Sequence, residues 1–306
     1  YALARDNKTP LLFVAVGSPS TIYEFDGNLM NMRFTTHSTG DVTYLRKIAL
    51  TYPKSMLTMV NHVPNRLTLS ETTPFNLGKS IKDALGSDIS LADAATAWKQ
   101  QDLRYVQGYV MFDNAEGRLV AQKVQATGKV PVELLKGKFT GETLVGMGPV
   151  DNERNIVLLT WNATSSKFKC YYIFPGFYPS TATKVEAAVV KDEAVVPATA
   201  GLTTQSVVRV SAEKNLVYYS AGNKLYAYNV LSGGNFPQSA LTTFGDASET
   251  IADMLILEGS NKLYVATNAA SGQLVGSIYC FDMNENKLLW AKKNITGRIK
   301  SITYRQ

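Results

Sequence analysis

Residues 218–235 read YYSAGNKLYAYNVLSGGN, two short apolar and aromatic bursts split only by Gly222 and Asn223. In KLYAYNV, Leu225, Ala227 and Asn229 fall on one face of an extended chain, and Tyr226, Tyr228 and Val230 on the other. A period of two is the signature of a strand. Gly and Asn both tolerate positive φ, so the pair favours a tight hairpin turn. LSGGN then closes the second strand with another flexible turn. Taken alone, the segment is a β-hairpin.

The hairpin has cousins along the chain. KLYVATNAASGQLVGSIYCFDMNENKLLW (262–290), LLFVAVGSPSTIYEFDGN (11–28) and IVLLTWNATSSKFKCYYIF (156–174) follow the same order of strand, turn and aromatic or Leu/Val-rich strand. Two weaker copies are MLTMVNHVPNRLTLSE (from Met56) and YVMFDNAEGRLVAQKV (from Tyr109). Anchored at Leu11, Met56, Tyr109, Ile156, Leu216 and Leu263, the copies are 45, 53, 47, 60 and 47 residues apart. That spacing is the one shown by four-stranded β-propeller blades. Further strand-like runs flank the pairs: SVVRVSAEKN and TIADMLILEGSN before, KLLWAKKN and VEAAVVKD after. The expected fold is all-β, one propeller domain over residues 1–306 with six four-stranded blades, or seven if the 60-residue gap hides a degenerate copy. The last residues, GRIKSITYRQ, match SVVRVSAEKN in place, while TPLLFVAVG near the start reads as a second strand. The expectation is that the C-terminal strand completes the N-terminal blade and closes the ring, removing a free edge.

One region departs from this pattern. In residues 79–100, KSIKDALGSDISLADAATAWKQ, the positions Ile81, Leu85, Ile89, Leu91, Ala95 and Trp98 have near-helical spacing. Capping residues precede an Ala-rich run, which predicts one or two short helices inserted between strands. Insertions of this kind gather on one face of a disc, where function tends to lie.

The chain has 306 residues, enough for a large core. Its 45% apolar content is that of an ordinary globular protein, and 18% charged residues with 16 tyrosines suit half-buried sheets. A net charge of +6 invites a nucleic-acid reading, but the basic residues are scattered and form no run denser than KGK (136–138) or KK (292–293). A nucleic-acid footprint needs a clustered stripe, so no such partner is expected. Cys170 and Cys280 lie in strand-like runs without CxxC or Cys/His spacing, which argues against a zinc site; they read as buried thiols acting as small apolar residues, and a disulfide between them is left open. No apolar run is long enough to span a membrane as a helix.

Catalytic patterns are sparse. His37 and His62, the only histidines, sit in polar, loop-like sequence with no G-x-S-x-G elbow. Asp26, Asp113, Asp151 and Asp282 fall at strand ends or turns, where acidic residues make local turn hydrogen bonds; a glycosidase would instead face two of them across a cleft. DNERN at Asp151 and DMNEN at Asp282 only loosely resemble a calcium loop, and no metal or cofactor is expected. The loop FPGFYPST (174–181) holds Phe177 and Tyr178 between two prolines. Exposed aromatics on a rigid loop suit sugar stacking or protein contact, and equally they could cover a neighbouring blade. Trp98 carries the same two readings, whereas Trp161 and Trp290, inside strands, are expected to pack between blades.

KLYAYNVLSGG and SIYCFDMNENKLLWAKK resemble the strand–turn–strand of pyrroloquinoline-quinone-type propeller repeats, with Asn229 and Asp282 at the acidic-turn position and Trp290 as the one surviving tryptophan. The resemblance implies the propeller fold; the residues its quinone cofactor needs are not matched. GYVMFDNAEGRLV (108–120) and LVYYSAGNKLYAYN (216–229) are similar to phrases in the C-terminal propeller of PKD-like family surface lipoproteins of gut Bacteroidetes. That similarity implies an exported, membrane-tethered protein with a segment ahead of this one, at the cell surface or in the periplasm. The expected role is a monomeric, non-enzymatic scaffold binding glycan or protein, with Phe177, Tyr178 and Trp98 as the contact residues. The alternative is a propeller glycoside hydrolase or lyase with carboxyl groups at its central channel.

Overall fold

Each of the six repeat anchors lies on the second strand of a four-stranded antiparallel sheet in the computed structural model. The structure describes residues 2–5, 10–16, 21–26, 31–37, 42–48, 55–60, 63–68, 76–80, 98–103, 108–114, 116–123, 132–176, 187–231 and 235–302. The first sheet contains β1 (Ala2–Arg5), β2 (Pro10–Val16), β3 (Thr21–Asp26) and β4 (Met32–His37). The second contains β5 (Val42–Ile48), β6 (Ser55–Val60), β7 (Val63–Thr68) and β8 (Asn76–Ser80). The third contains β9 (Trp98–Leu103), β10 (Gly108–Asp113), β11 (Arg118–Lys123) and β12 (Val132–Leu134). The fourth contains β13 (Glu142–Val150), β14 (Asn155–Asn162), β15 (Lys167–Phe174) and β16 (Val189–Val196). The fifth contains β17 (Val208–Ser211), β18 (Leu216–Ala221), β19 (Lys224–Asn229) and β20 (Thr242–Thr243). The sixth contains β21 (Thr250–Leu257), β22 (Lys262–Asn268), β23 (Gly276–Asp282) and β24 (Lys287–Thr296). In every sheet the strands lie side by side in chain order.

The chain divides into two compact units, Tyr1–Gly141 with Pro175–Ala188, and Glu142–Phe174 with Val189–Gln306. The first unit carries the first three sheets and the second unit the last three. In the first unit, Phe112 and Phe139 meet edge to face at 5.8 Å, and both are buried.

In the second unit the fifth sheet is packed on both faces, and its alternation divides it as the sequence reading expects. Val217, Tyr219, Tyr226, Tyr228 and Val230 point to one side and pack with Val157, Leu159 and Cys170 of the fourth sheet. Tyr218 and Leu225 point to the other and pack with Met254, Leu263, Val265, Tyr279 and Phe281 of the sixth. Tyr219 and Tyr226 are cross-strand partners with stacked rings, 5.3 Å between centroids and 8° between planes. Each such buried aromatic contributes about 1.5–3 kcal/mol of apolar burial. The hairpin turn is made by Gly222, at φ 61°, and Asn223, directly after the Ala221–Lys224 pair. The first strands of the fourth and fifth sheets approach closely: a Cβ on Gly146 or Gly148 of β13 would run into the side chain of Val208 or Val210 on β17.

Three expectations are corrected. Residues 79–80 and 98–100 of the anticipated helical insertion belong to β8 and β9, with Trp98 paired opposite Asp113; residues 81–97 lie outside the described residues. The only helices among the described residues are two single 3-10 turns, Ala198–Ala200 and Glu258–Ser260. Strand pairing with β10 overrides the local helical pattern around Trp98. The position beside β2 that the C-terminal strand was expected to fill is taken by β1. Residues 297–302 instead form no strand and fold back on the sixth sheet, where Ile299 and Asn268 exchange two hydrogen bonds of 2.7 Å. Between Ile156 and Leu216 the described chain forms β14 to β17 and one 3-10 turn. Finally, Trp290 is 42% exposed on an edge strand and is no core residue.

Candidate functional site

The most ordered polar chemistry lies inside the sheets. Glu142, at the start of β13, is 3% exposed and receives two hydroxyls from its own sheet. Thr160 of β14 donates to Oε2 at 2.6 Å, and Tyr171 of β15 donates to Oε1 at 2.7 Å. Lys169 adds its ammonium 3.3 Å from Oε1, while also reaching Glu193 at 3.1 Å. Burial raises the Tyr171 phenol well above its ordinary range, with the bond to Glu142 second; for Lys169 the bond to Glu193 leads an upward shift. The sixth sheet repeats the arrangement. Glu249, just before β21, accepts from Thr267 of β22 and, at 3.2 Å, from Tyr279 of β23. Burial pushes the Tyr279 phenol up to about 12.

A carboxyl group removed from water must recover its hydrogen bonds from the protein. Here the donors come from the next two strands, so each cluster ties the first three strands of its sheet together. The fifth sheet has no such cluster: Ser220 stands at the threonine position and Ala227 at the tyrosine position of the shared register. Ser220 instead accepts the Val207 N–H at 2.9 Å. Sequence reasoning missed these residues. The available signal was the common interval, 18 residues from glutamate to threonine in both copies and 29 or 30 to tyrosine.

Side chains also connect neighbouring sheets of the second unit. Arg209 of β17 bonds to the Asp253 carboxyl and donates to the Met254 carbonyl at 2.8 Å. Glu258 accepts from Ser211 and from the Ala212 N–H, both at 2.9 Å.

Of the residues singled out from sequence, Phe177, Tyr178 and His62 lie outside the described residues. Trp98 opens β9 and His37 closes β4. Asp113 accepts from Arg118 at 3.0 Å and from the Glu116 N–H; Asp151 accepts from Asn155 at 2.7 Å. Asp282 accepts the Asn284 and Glu285 N–H groups at 2.8 and 3.1 Å and holds Lys262 at 2.5 Å. These three aspartates therefore make the local turn bonds expected of them. Cys170 and Cys280 are buried, as their sequence setting implied, and both are free, which decides the disulfide question that sequence left open. Among the described residues, no three His, Cys, Asp or Glu side chains are grouped so that they could hold a metal ion.

The exposed chemistry concentrates on β24, the outermost strand of the sixth sheet. Every residue of this ten-residue strand, KLLWAKKNIT, is exposed. Leu288, Leu289, Trp290 and Ile295 are 40–48% exposed. Trp290 rests edge-on against Tyr264 with 6.0 Å between ring centroids, which holds the indole without covering it. Lys287 pairs with Glu285 at 3.1 Å; among the described residues Lys292 and Lys293 form no direct salt bridge, while the Lys293 charge also acts on Asp246. Exposed apolar side chains and three lysines thus share one strand.

No protein-family model matches the chain, and none of the curated proteins does. Solved structures do. Sqt1 of Chaetomium thermophilum, bound to the N-terminus of the ribosomal protein L10, matches with a TM-score of 0.58 at 10% identity, over 98% of this chain and 76% of that one. Kluyvelomyces marxianus Hsv2 gives 0.55 at 11% identity, over 92% and 82%. Saccharomyces cerevisiae Sqt1 gives 0.52 at 8% identity, over 95% and 84%. The likeness is one of fold. These neighbours are WD40-type β-propellers, and the chain shares with them the serial four-stranded antiparallel sheets.

Proposed function

We propose that the chain is a non-enzymatic recognition scaffold, a monomeric single-domain β-propeller of six blades that presents a protein-binding surface. The observation that carries this reading is the exposed apolar strip of β24, set on a sheet whose buried carboxyl group at Glu249 is already engaged by Thr267 and Tyr279. Rigid sheets hold such a strip in place at little ordering cost on binding. A structural neighbour, Sqt1, is bound to the N-terminus of a ribosomal protein, a precedent that supports the reading.

The test is an array of immobilised peptides and glycans probed with the intact chain, with products of any bound glycan assayed in parallel. Saturable peptide binding that Leu289→Asp abolishes, with no product formed, is the expected result. Turnover of a glycan would instead favour the hydrolase or lyase alternative. Sugar binding rests on Phe177 and Tyr178, and loss of a glycan signal in Tyr178→Ala would support it. Electron microscopy of the intact protein tests the six-bladed disc, and two separate lobes would overturn it. The surface-lipoprotein reading rests on the phrases at 108–120 and 216–229, and cell fractionation of the full-length protein tests it.

A further inference from the structure

The free side of β24 offers more than apolar area. It is the last strand in its sheet, so alternate backbone N–H and C=O groups along it point away from β23. Those groups come at regular strand spacing over Trp290–Lys292, between register shifts at Leu289 and after Lys292, and the partner that can pair with them is another extended backbone. Proteins usually blunt such an edge with lysines, and β24 has three, Lys287, Lys292 and Lys293. They do not stand alone here, because Leu288, Leu289 and Trp290 are exposed between them. The described part of the C-terminal segment bonds elsewhere: Ile299 to Asn268 of β22 and Ile302 to Asp253 of β21.

We infer that β24 takes up an acidic peptide segment, which adds to the sixth sheet in extended conformation as a fifth strand, with a carboxylate facing Lys292 and, two residues along on the same face, an apolar residue against Trp290. Charge complementarity selects this occupant. A second copy of the chain would bring β24 against β24 and set lysines beside lysines, a like-charge juxtaposition that opposes self-pairing. Nucleic acid would meet the same cations but has no backbone donors and acceptors at strand spacing. The inference rests on the recognition-scaffold reading and names the partner class and the place of contact.

Fluorescence anisotropy of a labelled ten-residue peptide that carries both Glu and Val on each face of the extended chain, titrated with the intact chain, tests it. The expected result is saturable binding that weakens with added salt. N-methylation at two adjacent central residues, which blocks both edges of the peptide at unchanged charge, should weaken binding at least about tenfold. K292E/K293E, at two exposed positions with folding checked by circular dichroism, should weaken it by a similar factor. Hydrogen exchange should slow along residues 287–293 when the peptide is bound. Equal affinity of the N-methylated peptide would overturn strand addition. Binding of single-stranded DNA or of phosphatidylglycerol vesicles in preference to the peptide would overturn the assignment of the partner. If the acidic peptide fails while another peptide binds and Leu289→Asp abolishes that binding, this inference falls and the scaffold reading stands. If no peptide binds at all, both fall.

Discussion

The phenol hydroxyl of Tyr171 stands 2.7 Å from Oε1 of Glu142, with the tyrosine fully buried and the glutamate 3% exposed. A hydrogen bond in that setting is costly to leave unmade. Tyr171→Phe should lower stability by about 1–2 kcal/mol, and Glu142→Ala, which strands two buried hydroxyls, by about 3 kcal/mol. Urea denaturation of the single and double variants, read as a cycle, measures the coupling. An unchanged midpoint for Tyr171→Phe would show that the bond contributes nothing. Tyr279→Phe should behave alike, because Glu249 repeats the geometry.

Two glycines should respond for different reasons. Gly222 has open space around it and a φ of 61°, so Gly222→Ala meets backbone strain alone and should cost about 1 kcal/mol. At Gly146 the obstacle is the Val208 side chain, so Gly146→Ala should cost about 1–3 kcal/mol by overpacking. Adding Val208→Ala should recover little of that loss, because the nearest atom, the Val208 Cβ, remains. Thermal melts of the four variants decide between these outcomes.

Asp282 should titrate unusually low. The Lys262 ammonium first, then the Glu285 and Asn284 N–H groups, hold its carboxyl down at about 2 against an ordinary 3.8. A folded-state value below the unfolded one means stability that is present above pH 3.8 and is lost as pH falls toward 2. Carboxyl NMR titration should find this low value. In Lys262→Ala it should rise yet stay below 3.8, because the two backbone donors remain. A normal value in the unmodified protein would refute the pairing.

Cys170 should be inert while the protein is folded. Burial, with Asp192 second, pushes its thiol up to about 12 from an ordinary 9.0, and the thiolate is the reactive form. Above pH 9.0 the unfolded thiol ionises and the folded one does not, so this residue lowers stability between pH 9.0 and about 12. Alkylation at pH 8 should therefore run at the rate of opening. Immediate stoichiometric labelling of Cys170 would contradict the buried placement.

These contrasts show what the sequence could tell. Six anchors chosen from apolar runs and turn residues fall on six second strands, because strand alternation and Gly or Asn turns are local properties. The split of Tyr218 from Tyr226 and Tyr228 onto opposite faces was readable for the same reason. Trp98 misled because its Ala-rich neighbourhood has helical spacing, whereas its pairing with β10 is set by residues ten or more positions away. Trp290 misled because periodicity does not distinguish an edge strand from a central one. The glutamate clusters went unseen because their members sit on three strands, and the fifth sheet, which displays the hairpin most clearly, replaces two of them with Ser220 and Ala227. The loop with Phe177 and Tyr178 lies outside the described residues, so their role stays with the glycan test.

Asp253 divides its two oxygens between distant parts of the second unit: Oδ1 holds Arg209 of the fifth sheet, and Oδ2 accepts the Ile302 N–H at 2.9 Å. This makes it a mechanical junction. A pull applied at residue 302 loads β21 and, through Arg209, β17, before it reaches β22 or β23. In a force experiment with the handle at the C-terminus, Asp253→Asn should lower the first rupture force, since it weakens the link to the fifth sheet at its most strongly charged point.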